Sequence, residues 1–100
     1  MTASPSPEEI RDLRDLRSFV HGRICHHYQL EVGAFMMTER ILLRAGRPCG
    51  LFFCVHGPRS VKLTAIWEME RNTILFYGSA GERVERTQLA VAPTFADAGV

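Results

Sequence analysis

Three cysteines in 100 residues, Cys25, Cys49 and Cys54, are too few and too odd in number for a disulfide framework. They read as reduced thiols, which suits a cytoplasmic protein. The first residues, MTASPSPEEI, have neither the basic start nor the apolar stretch of a secretory leader. No apolar run approaches the roughly 20 residues of a membrane-spanning helix, so no membrane partner is expected. The phosphate-binding patterns GxxxxGK[ST] and GxGxxG are missing. Charge of one sign is lacking as well: 12 Lys and Arg stand against 11 Asp and Glu, a formal net charge of +1. A dedicated nucleic-acid domain usually carries a clear basic excess. What is present is an ordinary globular balance, 46% hydrophobic and 23% charged, in a chain long enough for one modest core.

The pattern along the chain predicts an α+β fold: an N-terminal amphipathic helix packed on an antiparallel β-meander of three to five strands. Residues 1–5 are small and polar and are expected to be disordered, residues 6–89 form the domain, and residues 90–100 form a loose tail. Ser6, Pro7 and Glu9 make a helix start, with Ser6 as N-cap and Glu9 as its capping-box partner. Ile10, Leu13, Leu16, Val20, Ile24 and Tyr28 then recur on one helical face. Arg11 and Asp15 form a supporting i,i+4 pair, Gly22 is a weak point, and Gly33 is a plausible stop.

Residues 34–46, AFMMTERILLRAG, suit a helix ending at Gly46 or a strand turning through Arg47–Gly50. The turn chemistry favours the strand. From Leu51 the strand signal is plain. LFFCVH is apolar on both faces. VKLTAIWEME alternates, with Val61, Leu63, Ala65, Trp67 and Met69 on one side. NTILFYG is rich in β-formers, and GERVERTQL is polar enough for an edge strand. Turn residues separate them at Gly57–Ser60, Glu70–Thr73 and Gly78–Gly81. LFFCVH has a second apolar face to cover, which residues 34–46, the tail or a second copy of the chain could supply.

The stretches GPRSVKLTAIWE and NTILFYGSAGER resemble those of small uncharacterised proteins from planctomycete bacteria, over roughly the second half of the chain. The resemblance implies a bacterial, cytoplasmic setting and brings no activity and no site residues.

Five features could carry chemistry. Cys25-His26-His27 groups metal-ligating side chains. On a helix, however, adjacent residues diverge by about 100°, and the usual paired ligand spacings are absent. A packed His27, a solvated His26 and a buried thiol explain the triplet without a metal. Cys54 and His56 share a strand face, the arrangement a thiol nucleophile and its base would need. No orienting carboxylate or oxyanion hole accompanies them. The turn GPRSVK offers Arg59 and Lys62 to an anion, and its blander reading is a solvated hairpin. The aromatics Phe52, Phe53, Trp67, Phe76 and Tyr77 lie beside basic residues, as on single-strand RNA platforms. Strand alternation assigns Trp67 to the core instead. Glu68, Glu70, Glu82 and Glu85 read as a soluble surface.

No catalytic set, metal site or cofactor site can be assembled from these residues. The expected function is therefore a small non-enzymatic protein-interaction or regulatory module, self-associating through its sheet or bound to a protein partner. The alternative is a nucleic-acid or anion-binding module using Arg44, Arg47, Arg59 and Lys62, drawn from the carboxylate-free window after Arg40.

Overall fold

The computed structural model describes residues 6–93. A short 3-10 turn, Pro7–Glu9, leads into helix α1, Leu13–His27. Five strands follow: β1 Met37–Arg44, β2 Arg47–His56, β3 Lys62–Glu68, β4 Thr73–Tyr77 and β5 Arg83–Gln88. They form one sheet in the order β1-β2-β3-β4-β5, every neighbouring pair antiparallel. This is the expected α+β meander, at the upper end of the expected strand number. The segments foreseen as disordered start and loose tail lie outside the described residues, apart from 90–93, which form no helix or strand.

The helix start differs from the expectation of one continuous helix. The Glu9 carboxylate does accept from the Ser6 N–H at 2.8 Å, but the turn it caps ends at once. Ile10 is extended and fully buried. A second cap then begins α1: Asp12 accepts from the Asp15 N–H at 2.8 Å. Asp15 in turn accepts from the Arg11 backbone, at 3.2 Å, rather than pairing with its guanidinium. Gly22 lies within an unbroken helix. The helix stops before Gly33, because Gln29 adopts a left-handed conformation (φ 55°). Leu30 N–H then reaches Cys25 C=O at 2.8 Å and Gln29 N–H reaches His26 C=O at 3.3 Å, the Schellman pattern.

The apolar stripe of α1 contributes Leu13, Leu16, Phe19, Val20 and Ile24 to the core. The facing sheet contributes Leu51, Phe53, Val55, Leu63, Ala65, Trp67, Ile74 and Phe76. Phe19 meets Phe76 edge-on, with ring centroids 6.3 Å apart. An isolated helix of 15 residues is marginal in water. Fully burying one large apolar side chain contributes about 1.5–3 kcal/mol, so the sheet is what holds α1 together.

Residues 34–46 hold β1, but the turn lies earlier than Arg47–Gly50. Ala45 and Gly46 both have positive φ, 52° and 79°, the signature of a two-residue hairpin turn. Arg47–Gly50 belong to β2. A bulge follows from the register: Leu42 faces Gly50, whereas Leu43 faces Pro48, leaving Cys49 unpaired. The bulge shifts the alternation and turns Arg47, like Arg44, to the sheet face away from α1.

Candidate interaction surface

The one α-helix among the described residues packs on one face of the sheet, and the opposite face keeps its large apolar side chains partly exposed, with only small residues such as Cys54 and Thr73 buried in it. Its composition follows from register. Across the middle, Arg40, Phe52, Ile66, Leu75 and Arg86 lie in line on the five strands. At a strand spacing of about 4.8 Å, the two arginines stand roughly 19 Å apart with three apolar side chains between them. Phe52, Ile66 and Leu75 are half-buried, as are Leu42 and Tyr77 on the flanking lines. The Arg40 guanidinium lies 5.2 Å from the centroid of Phe52. The result is an apolar centre with a cationic rim.

Charge on this face is one-sided. Its strands present Arg40, Arg44, Arg47, Lys62, Arg83 and Arg86, with Glu68 as the lone strand carboxylate. The other strand carboxylates are engaged on the helix side. Glu39 takes a two-pronged bond from Arg17, Nε–Oε1 2.6 Å and Nη2–Oε2 2.9 Å, which raises the Arg17 pKa further. Glu85 meets His27 Nε2 at 2.6 Å and accepts a short bond from the Thr87 hydroxyl. Arg23 Nε lies 3.3 Å from Glu85, without the alignment of a hydrogen bond. The strands of the open face are thus basic although the formal net charge of the chain is only +1.

The four basic residues singled out from the sequence do not form one site. Arg44 and Arg47 face each other at the β1–β2 hairpin. They line a cleft of about 480 Å³ with Leu42, Ile66, Glu68 and Arg71. Lys62 pairs with His56 at the opposite end of β2, and Arg59 sits in the turn beyond. The ten residues of β2 separate the two pairs by roughly 30 Å. That turn is a β-turn over Pro58–Val61, closed by Val61 N–H donating to Pro58 C=O at 3.1 Å, with Arg59 and Ser60 left-handed (φ 60° and 63°), so Pro58 holds its first position rather than the second. Sequence reasoning missed Ile66, Leu75 and Arg86, which carry the middle of the face. Their common side was readable only once the register of four strand pairs was known.

The remaining candidates disperse. Trp67 is in the core, 1% exposed. Cys25 is buried and His26 exposed, whereas His27 sets its ring 6.2 Å from that of Phe76 and ties its Nε2 to Glu85. Among the described residues, no three His, Cys, Asp or Glu side chains come close enough to share a metal ion. Cys54 and His56 share the open face, but His56 Nε2 bonds the Thr38 hydroxyl at 3.0 Å. Burial raises the Cys54 pKa, with the charge of Lys62 partly opposing it, and burial raises that of Cys25. An activated thiol needs the reverse. Both thiols keep their protons in the fold at a pH where the unfolded chain has lost them. Their contribution to stability is therefore complete below the ordinary value of 9.0 and is lost as pH rises through the raised values. Urea midpoints should fall above that pH, less so for Cys25→Ala, and alkylation of the native protein should label half-buried Cys49 first. Equal labelling of Cys54 and Cys49 would contradict this.

No helix among the described residues is long and apolar enough to cross a membrane. No protein-family model, curated protein or solved structure matches the chain.

Proposed function

We propose that the protein is a non-catalytic interaction module whose open sheet face docks a protein partner with an apolar centre and a carboxylate rim. The line Arg40–Phe52–Ile66–Leu75–Arg86 carries this reading. An apolar patch rimmed by polar groups is the usual anatomy of an interface. Its cationic rim selects an acidic partner and disfavours the same face of a second copy, since like charges brought together cost affinity. The centre is mostly aliphatic (Leu42, Ile66, Leu75), which suits side-chain packing more than base stacking.

Single-stranded nucleic acid is the second reading. It is favoured by the spread of cations along the whole of β2, from Arg47 to Lys62, with the rings of Phe52 and Tyr77 beside that path. The two readings separate on one substitution. Phe52→Leu keeps an apolar side chain and removes the stacking surface. The immobilised protein and its Ile66→Glu and Phe52→Leu variants are challenged with native lysate, with and without nuclease. In parallel they are titrated with a labelled single-stranded oligonucleotide at rising salt.

Docking of a protein predicts a nuclease-resistant acidic partner. When that partner is purified, its affinity falls roughly 100-fold with Ile66→Glu, the scale of a central hot spot, and stays nearly intact with Phe52→Leu. Oligonucleotide binding that weakens steeply with salt and drops with Phe52→Leu would overturn it in favour of nucleic acid.

A further inference from the structure

The two edges of the sheet are not alike. The β5 edge is polar and bulged next to Tyr77, and it carries Arg83 and Arg86, features that discourage strand pairing. The β1 edge is longer, eight residues, and its last bulge lies on the inner strand. Ile41 and Leu43 on it are 46% and 63% exposed, on the α1 side but not covered by the helix.

The backbone of β1 shows which groups face outward. His56 N–H donates to Met36 C=O at 2.9 Å, so Met36 and His56 form a hydrogen-bonded pair. Antiparallel alternation then turns the N–H and C=O groups of Thr38, Arg40 and Leu42 toward β2. Those of Met37, Glu39, Ile41 and Leu43 point away from the sheet. Pro48, which has no N–H to offer, sits opposite Leu43, in keeping with this phase.

We propose that β1 pairs antiparallel with β1 of a second copy about a two-fold axis at Ile41, making one ten-stranded sheet. Pairing between outward-facing residues allows few registers: an axis near either end of β1 leaves much of the strand unpaired, and charge selects among the central ones. An axis at Glu39 or Arg40 sets two like charges directly opposite each other, and an axis at Leu42 sets Arg40 opposite the partner's Arg44. With the axis at Ile41, Ile41 faces its own mate, Glu39 faces the partner's Leu43, and Arg40 faces the partner's Leu42. No like charges oppose each other, and the exposed Ile41 and Leu43 side chains of both copies gather on the α1 side of the seam. The arrangement is independent of the docking reading above. It sets two open faces side by side and buries neither.

The full chain is examined by sedimentation equilibrium from low to high micromolar concentration. The expected mass is twice the 11.3 kDa of one chain. Ile41→Lys places like charges on the axis and should raise the dissociation constant at least about tenfold, whereas Val84→Lys on the β5 edge should not. Ile41→Cys should cross-link to itself under mild oxidation, because a hydrogen-bonded pair sets its Cα atoms about 5.5 Å apart, within disulfide reach. Arg40→Cys, facing Leu42, should not. Circular dichroism confirms that each variant is folded, and the cross-link keeps the test decisive if Ile41→Lys is not. A monomer throughout the range, a dimer insensitive to Ile41→Lys, or efficient cross-linking through position 40 would each overturn the proposal.

Discussion

Gly50→Ala should cost about 3 kcal/mol of stability, read as a lower urea midpoint with the slope unchanged. Gly50 is buried in the interior of the sheet, opposite Leu42 on one side and Glu68 on the other. A Cβ built there would overlap the backbone carbonyl of Trp67 on β3. That oxygen belongs to a paired strand and cannot swing aside as a flexible side chain would. Relief requires prising β2 from β3 next to the largest core side chain. Overpacking a well-filled site costs roughly 1–3 kcal/mol, and a backbone obstacle puts this case at the upper end. Against a typical domain stability of about 5–15 kcal/mol, that is a large fraction. Gly46→Ala makes the control. Nothing lies within 4 Å of its added carbon, but its φ of 79° is left-handed, so it should cost only about 1–2 kcal/mol. If Gly46→Ala proved the more damaging of the two, close approach of β2 to Trp67 would not be what requires glycine at position 50.

Most of this architecture was legible because the strands after Leu51 obey simple alternation. Leu63, Ala65 and Trp67 are buried as their spacing demands. β1 was ambiguous for a physical reason: its apolar residues Ile41 and Leu43 are not in the core, so burial left no periodic trace. Its identity as a strand comes from pairing with β2, a non-local fact. The hairpin turn was misplaced because Pro48 and Gly50 are strong turn formers in general. Here a bulge at Cys49 absorbs the proline, and Ala45 enters the left-handed region beside Gly46. The helix start was misread because two caps, Ser6 and Asp12, lie six residues apart, and only the burial of Ile10 between them decides that the chain breaks.

The open face was less legible than the fold. Counting charges treats every carboxylate as available, and the formal net charge of +1 argued against an electrostatic surface. The structure removes two strand carboxylates from that count through contacts distant in sequence. Glu39 pairs with Arg17, 22 residues away, and Glu85 with His27, 58 residues away. Both partners come from α1, so the helix that covers one face of the sheet also leaves the other face basic. Linear windows could find Arg44, Arg47, Arg59 and Lys62, but not that β2 holds them apart by its full length. Nor could they align Ile66, Leu75 and Arg86, which stand on three different strands.

Asn72→Ala should cost about 2–3 kcal/mol, and Asn72→Gly less, although glycine removes more atoms. The reason is that Asn72 does two separable jobs. Its Oδ1 accepts from the indole N–H of Trp67 at 3.0 Å, and its own C=O accepts from Leu89 N–H at 3.0 Å. Its backbone is also left-handed, with φ 50°. Alanine loses the side-chain bond, worth about 1 kcal/mol, and adds a left-handed strain of about 1–2 kcal/mol. Glycine loses the bond but not the conformation, and aspartate keeps both the acceptor and a tolerated φ. Trp67 is the chain's single tryptophan, so its emission should shift in both the Ala and Gly variants, while the urea midpoint separates them. Equal midpoints for Ala and Gly would mean that the turn relaxes freely and that the conformation carries no cost. The outcome bears on the proposed docking surface. The same turn positions Met69 and Arg71 at the margin of the cleft that holds Arg44 and Arg47, so a loosened Asn72 should weaken partner binding from outside the contact line itself.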